Sequence, residues 1–596
     1  MNQALFQEYS KFLAYDQKRF ASIKKQIRQL ALLRLAAFVV AVLALIYLPK
    51  VSSWLAWSVA LISVALFFYW IKVFLKKEKE KVLFANLIKI NQHELAALEE
   101  DYSNFEGGSE FTDPHHPYSY DLDLFGPGSL FQSINRTVSQ LGKKKLANKL
   151  SEPETNLTRL EQLQKALLEL ANYTRWRQFF AAKGHTKDKQ DFNFLQKITE
   201  QLDIKKPEQL QKLLLFLPLL TLLSFVLCQF LNVPWALFVA SLLINGAVLY
   251  AYKNTTEAFY SLFGSQAKRL SNYKELLLLI EEKEFQDPLL NGLKDQLLTG
   301  KQKASEAVEE LQKRMGEFDY RNNLLIASVL NALLLWDLRC SFKLYQWQMR
   351  HRKSIEQWFH VLAEFDALSS LANLNHNHPE WTLPKFEEDS FHLTANELKH
   401  PLIKEAKNIG NDFRMNGAGQ IAIITGANMA GKSTFLRTIG VNMILAMNGC
   451  RVNASWFSMK PIGLFTNMRT TDNLQNDESY FFAELQRLKL ILDEIKAGNP
   501  VFVIIDEMLK GTNSEDKLSG SIKLIEQLIS LQAVGLVATH DLKLTDLAEK
   551  YPKQITNKCF EIQLTEEELL FDYKLTDGVT STMNANFLMR KMGIIS

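Results

Sequence analysis

The chain has 596 residues, with 69 Lys and Arg against 65 Asp and Glu, a formal net charge of +4, and four cysteines. That length can hold about three or four domains, and the near balance of charge excludes a global electrostatic field as the basis for nucleic-acid binding. Cys228, Cys340, Cys450 and Cys559 are scattered without disulfide or metal spacing, which fits a reduced cytosolic setting for most of the chain.

From Leu35 to Ile71 the only charged residue is Lys50. This stretch is long enough for two membrane spans of roughly 15–21 residues joined by a tight turn, the first of them short unless Arg34 snorkels. Lys24, Lys25, Arg28 and Arg34 precede it, and Lys72, Lys76, Lys77, Lys79 and Lys81 follow, so both ends are expected in the cytoplasm. The late start of the apolar run and the second run directly behind it argue against a cleaved signal peptide. Residues 76–118 read as a charged helix and then a polar linker, NFEGGSEFTDPHHPYSY.

A helical core is expected from about residue 119. It is interrupted by a second uncharged stretch, Leu213 to Tyr252, broken at Asn232-Val233-Pro234 and flanked by Lys205, Lys206, Lys212 and Lys253. This reads as a second apolar hairpin at about 213–252. For both hairpins the alternative is a helical pair buried in a soluble core. Beyond Lys253, periodic apolar residues to about 372 predict long helices, including WDLRCSFKLYQWQMRHRKSIEQWFHVLAEF, whose aromatics are read as core packing. His376 and His378 in NHNHPE read as unliganded loop histidines.

The chemistry is concentrated in the last third. IAIITGANMAGKST, residues 421–434, is an apolar strand, a glycine-rich loop and a helix start, with the G-x-x-x-x-G-K-[ST] spacing of a P-loop. Gly426 and Gly431 let backbone N–H groups close on phosphates at a helix N-terminus, across Ala427, Asn428, Met429 and Ala430 and on to Thr434. Lys432 is expected to reach the β- and γ-phosphates of a nucleoside triphosphate, and the Ser433 hydroxyl to bind Mg²⁺. PVFVIIDE then ends a buried strand in two carboxylates. Asp506 is expected to hold Mg²⁺, and Glu507 to act as general base on a water facing the γ-phosphate. GLVATHD brings His540 to a third strand end, where it would sense the γ-phosphate; a surface histidine is the plainer alternative.

These strings resemble a known family. GANMAGKST at 426–434, DESYFFAEL at 477–485, IIDEMLKGTNSEDK at 504–517 and ATHD at 538–541 are similar, in order, to the ATPase domain of the MutS DNA mismatch-repair proteins. The Asn428-Met429 pair is more specific than the generic loop. Gly511-Thr512, His400-Pro401-Leu402, Asn411-Asp412 and the closing Tyr573-Lys574-Leu575 with Gly578 add to the likeness, with Asn586-Phe587-Leu588 starting a short dimer-packing helix. LDLFGPGSLFQSINRTVSQLGKKKLANKLSEP at 122–153 resembles the start of the family's helical core, and VLAEFDALSSLANL at 361–374 its closing helix.

The resemblance implies an α/β P-loop NTPase domain of the ABC/MutS type behind an all-α core, here carrying two transmembrane hairpins. The expected division is 1–118 for the anchor and linker, 119–400 for the core and lever, and 401–596 for the ATPase. It implies ATP hydrolysis with Mg²⁺ in a homodimer, with Ser479 reaching the partner's nucleotide, and helical arms that bind mismatched, branched or duplex DNA. Asp477 and Glu478 depart from the family's pattern beside Ser479. The family's mismatch-reading N-terminal domain, with its Phe-x-Glu wedge, has no counterpart; Phe482-Ala483-Glu484 fits the string but lies in the ATPase. The alternative is an ATP-driven membrane or protein-assembly switch that binds no DNA. An ABC transporter is disfavoured, since Leu518-Ser519-Gly520-Ser521 follows the acidic strand rather than preceding it. The expected location is the inner or plasma membrane, with the ATPase in the cytoplasm.

Overall fold

Asn2 opens the first helix, its Oδ1 accepting from the amides of Ala4 and Leu5. The computed structural model describes residues 2–185, 202, 204, 206–263, 267–388, 390–427, 429–469, 480–510, 512–564 and 569–580. Helix α1 (Gln3–Tyr47) and helix α2 (Ser53–Leu98) form a hairpin closed by a turn at Leu48–Lys50. At 1.5 Å per residue each helix is about 70 Å long. The sequence-predicted apolar segments are therefore only the outer halves of much longer helices, and the charged run after Ile71 continues α2 to Leu98 before the irregular linker begins.

The two halves of this hairpin pack by opposite rules. At the outer end Ala37, Ala41, Ala44, Ala56, Ala60 and Ser63 are buried, while Leu35, Phe38, Trp54, Trp57 and Leu61 face outward. Small residues in the seam let the backbones approach closely, and the large apolar side chains are left outside. At the base the ordinary arrangement returns. Ile23, Phe84 and Leu87 pack with Ala182, and buried charges are paired. Asp16 accepts from Arg175 and Asn91. Glu94 accepts from Arg136 Nε at 2.6 Å, Asn373 at 3.1 Å and Asn377 at 3.0 Å.

The helical body contains α3 (Gln140–Ser151), α4 (Leu157–Asn172), α5 (Thr174–Gly184), α6 (Pro207–Phe230), α7 (Ala236–Ala251), α8 (Lys253–Phe263), α9 (Ala267–Glu282), α10 (Ala304–Phe318), α11 (Leu324–Leu334) and α12 (Trp336–Asn377). α12, at 42 residues, is its spine. Buried Asp366 on α12 accepts from Ser139 N (2.9 Å) and Ser139 Oγ (2.6 Å) at the start of α3. Gly142 fits there because a Cβ would collide with the same carboxylate. α6 and α7 form the second apolar hairpin. α1, α2 and α6 are each long and apolar enough to cross a membrane, and α7 with α8, and α11 with α12, pass the same test only as bent pairs. α11 is an apolar segment that the sequence reading left unmarked.

The C-terminal part carries two sheets. Strands β1 (Lys385–Phe386), β2 (His392–Leu398), β3 (Asn411–Asn416) and β5 (Trp456–Met459) form one, in the order β1-β5-β2-β3. The other runs β10 (Leu569–Asp577), β9 (Ile555–Leu564), β4 (Ile421–Gly426), β8 (Val534–Ala538), β7 (Val501–Asp506), β6 (Gly463–Asn467). All its neighbours are parallel except β9 with β10. β4, β7 and β8 are almost wholly buried, as expected of parallel strands covered on both faces. The covering helices are α13 (Lys432–Ala446), α14 (Tyr480–Lys496) and α15 (Ser514–Ser530).

The irregular segment before α3 joins the two parts. Asp121 is fully buried and accepts from Thr466 Oγ1 (2.6 Å), the amides of Met468 and Arg469, and Arg487. Asp123 pairs with Arg469 and with Arg437 on α13. α12 is tied in as well: Asn375 Oδ1, near its end, accepts from Arg451 N at 2.8 Å.

Candidate nucleotide-binding site

Parallel pairing of β4, β8 and β7 brings their C-terminal ends to one edge, with Ala538 in register with Ile424 and Asp506. Three loops start there, and a cleft of about 840 Å³ opens between them. Ala427, Met429, Gly431, Lys432, Ser433 and Thr434 line it from the first loop, Asp506 and Glu507 from the second, and His540 from the third. Gly426 and buried Ala430 shape the first loop. Gly426 has φ +151°, and a Cβ there would press on the Phe560 carbonyl; Gly431 has φ +108° at the head of α13. Asn428 and Ser479, with Asp477, Glu478, Gly511 and the segment from Asn586, lie outside the described residues.

Lys432 is 6% exposed, and its ammonium donates to Gly426 O at 2.6 Å and Ala427 O at 2.9 Å. Burial pushes its pKa down to about 8, against the pull of Asp506 and Glu507. A cation whose partners among the described residues are loop carbonyls, at a helix N-terminus, fits an incoming polyphosphate, which would favour its charged form further. Ser433 and Asp506 offer a hydroxyl and a carboxylate to the same cleft, hard oxygen donors suited to Mg²⁺.

Glu507 occupies the left-handed region at φ +61°, unusual for a residue with a long side chain. Its Oε1 accepts from Lys517 Nζ of α15 at 2.8 Å. Burial works to raise its pKa, but the hydrogen bond and charge of Lys517 outweigh it, with His540 and Lys510 adding, so the carboxyl is held below its usual range. His540 is shifted down by burial and by Lys432, so its imidazole is neutral near pH 7.

Sequence reasoning missed the structural roles of several groups here. Lys517 is the last residue of the IIDEMLKGTNSEDK string, but only the reversal of the chain into α15 returns it to Glu507. Buried Glu484 accepts from the amides of Leu509 and Lys510 and so fixes the loop behind Glu507. Phe571 and Tyr573 stack at 5.8 Å and, with Ile403 and Ile409, give the cleft an apolar side. Asn411 holds this side in place through Tyr573 O and Leu575 N. His376 lies inside α12 rather than in a loop, and no cluster of three potential metal ligands occurs among the described residues.

Residues 422–587 match the family model for MutS domain V. Over 314 residues the chain is 29% identical to the DNA mismatch repair protein MutS of Thermotoga maritima, covering 52% of this chain and 35% of that protein. Over 215 residues it is 33% identical to the MutS protein homolog 4 of Homo sapiens, covering 34% of this chain and 22% of that protein. The chain thus spans about a third or less of the length of these relatives. The matched segment contains the cleft residues from Ala427 to His540, so the part of the chain that carries the phosphate loop, the acidic strand end and the histidine is similar to domain V of the MutS family.

Proposed function

We propose that the protein is a membrane-anchored, MutS-like ATPase that binds and hydrolyses ATP as a homodimer and thereby switches its helical arms between two arrangements. The reading rests on the convergence of Lys432, Ser433, Asp506, Glu507 and His540 on one cleft, in a P-loop arrangement of strand, loop and helix. Lys432 exchanges its carbonyl partners for phosphate oxygens. Ser433 and Asp506 would hold Mg²⁺, which would supply positive charge against the phosphates. Glu507 leaves Lys517 to take a proton from the attacking water, and neutral His540 hydrogen-bonds beside the γ-phosphate. Ser479 completes the site across the dimer.

On this reading the chain divides into an anchor (1–118), a lever (119–400) and an ATPase (401–596). Outward-facing apolar side chains and inward-facing small or polar ones, in both hairpins, support insertion in the inner or plasma membrane. The flanking lysines and arginines support a cytoplasmic ATPase. α12, tied to Arg451 at one end, supplies the arm.

The arms are proposed to bind duplex or branched DNA through phosphates, with strong salt dependence. A second reading, a switch acting on the membrane or on protein assembly without DNA, is favoured by the hairpin α6–α7 standing at the far end of the arm. ATP turnover by the detergent-solubilised protein, with homoduplex, mismatched and branched DNA over a salt series, decides between them. Stimulation by one DNA form supports the DNA-binding arm; no binding and no stimulation by any form leaves the second reading.

A further inference from the structure

Helix α11 has the composition of a lipid-facing segment, LLIASVLNALL, and none of its residues is buried. Leu324 and Leu325 are each 80% exposed and Val329 58%. A surface helix in water keeps a polar face; this one is apolar all round. Its two polar side chains turn back to the chain: Ser328 Oγ donates to Leu324 O at 2.7 Å, and Asn331 Oδ1 accepts from Asp337 N at 2.9 Å. Such internal satisfaction is what a medium without water demands.

Its neighbours point the same way. α11 packs against α6 and α7. The seam of that hairpin is polar inside: Ser224 meets Ser241 at 3.2 Å, and fully buried Asn245 donates to Thr221 Oγ1 at 3.0 Å. The same Asn245 amide donates to Ala332 O of α11 at 2.7 Å, so α11 is stitched to the hairpin by its polar core. Outside this seam Phe216, Leu219, Leu222 and Leu243 are exposed, and the outward surface of α11 continues theirs.

Both ends of α11 return to one level. Asn322, just before it, accepts from Tyr260 Oη of α8 at 2.9 Å. Trp336, just after it, donates to Glu317 O of α10 at 2.9 Å. Arg321 joins these elements by pairing with Glu257 and Asp337. Tyr320 and Trp336 place amphipathic rings at this level, as at a membrane–water interface. Eleven residues rise only about 16 Å, too little to cross a bilayer, so the helix enters and leaves on the same side. Leu335, at φ +50°, then turns the chain by 77° into α12.

We propose that α11 is a third membrane element, a half-inserted helix bathed by the acyl chains of the cytoplasmic leaflet, which fastens the start of the lever α12 directly to the bilayer. The inference rests on the membrane reading of the α6–α7 hairpin given above. The occupant is lipid because the apolar surface is continuous with that hairpin and bordered on one side by Arg321, Tyr320 and Trp336.

The test uses the full chain in phosphatidylethanolamine–phosphatidylglycerol vesicles, with the four buried native cysteines replaced by alanine and ATP binding retained. An environment-sensitive fluorophore is placed singly at Val329→Cys, Leu222→Cys or Glu309→Cys, and nitroxide lipids labelled at shallow or deep acyl positions are added as quenchers. The expected result is a blue-shifted emission and loss of fluorescence at Val329, greatest with the shallow nitroxide, strong quenching at Leu222, and none at Glu309. Quenching at Leu222 but not at Val329 overturns the inference while leaving the hairpin in the membrane, and means that protein covers α11. Quenching at neither position overturns the membrane reading of this hairpin together with the inference.

Discussion

Lys517 Nζ lies 2.8 Å from Glu507 Oε1, joining the first turn of α15 to the carboxylate that follows the β7 strand. The pair holds Glu507 ionised, yet turns its lone pairs toward a lysine rather than toward a water. In the proposed function such a base is ready in protonation state and withheld in geometry, and arrival of a γ-phosphate at Lys432 and His540 would supply a reason for release.

Removing the cation leaves the burial of Glu507 unopposed by its strongest partner, so its pKa rises in Lys517→Met. A base with a higher pKa becomes protonated at higher pH, and the acid limb of the turnover profile therefore moves upward in pH. Steady-state ATP turnover across the acid range measures this; an unmoved limb means that Lys517 does not set the ionisation of Glu507.

Lys432 gives a prediction at the other end of the scale. Its pKa of about 8 in the free protein lies below that of an exposed lysine, and a polyphosphate favours the charged form. Nucleotide affinity is therefore full below about pH 8 and declines as the pH rises through that value. Fluorescent ATP-analogue titrations should show this decline, and Lys432→Ala should show no binding at any pH. A flat affinity over the alkaline range contradicts the assignment.

Much of this site is legible in the sequence because a phosphate loop, an acidic strand end and a following helix are local patterns. GANMAGKST and VIIDE each fix their own backbone, and parallel pairing brings them together. The Lys517–Glu507 pair, the Glu484 clamp and the Asp121 network were not legible, since each depends on side chains returning from other elements. The apolar hairpins were visible as uncharged runs, whereas α11 was missed because eleven apolar residues fall short of any span-length window. The lengths of α1 and α2 were underread for the opposite reason: hydropathy marks where lipid could lie, not where the helix ends.

Glu94 is 3% exposed and anchors the base of α2 to Arg136, Asn373 and Asn377. Arg136→Ala strands this carboxylate in a buried site, with an expected loss of about 3 kcal/mol or more. Thermal unfolding of the solubilised protein should show a clear drop in midpoint, with a smaller drop in the double variant Glu94→Gln, Arg136→Met. Equal losses in the two proteins would show that the stranded charge is not the cause.

In an exposed helix Gly→Ala is stabilising by about 1 kcal/mol. At Gly142 the new methyl meets the Asp366 carboxylate that binds Ser139. Overpacking of this kind costs about 1–3 kcal/mol, so Gly142→Ala is expected to destabilise the joint between α3 and α12. A denaturant titration that finds it neutral or stabilising would show that the joint yields freely.

In the proposed function one cleft binds ATP and Glu507 activates the attacking water. The direct test is to measure equilibrium ATP binding and ATP turnover on the same preparations of the wild-type protein and Glu507→Ala. Binding is expected to survive in Glu507→Ala while turnover is lost. Normal turnover in Glu507→Ala would contradict it.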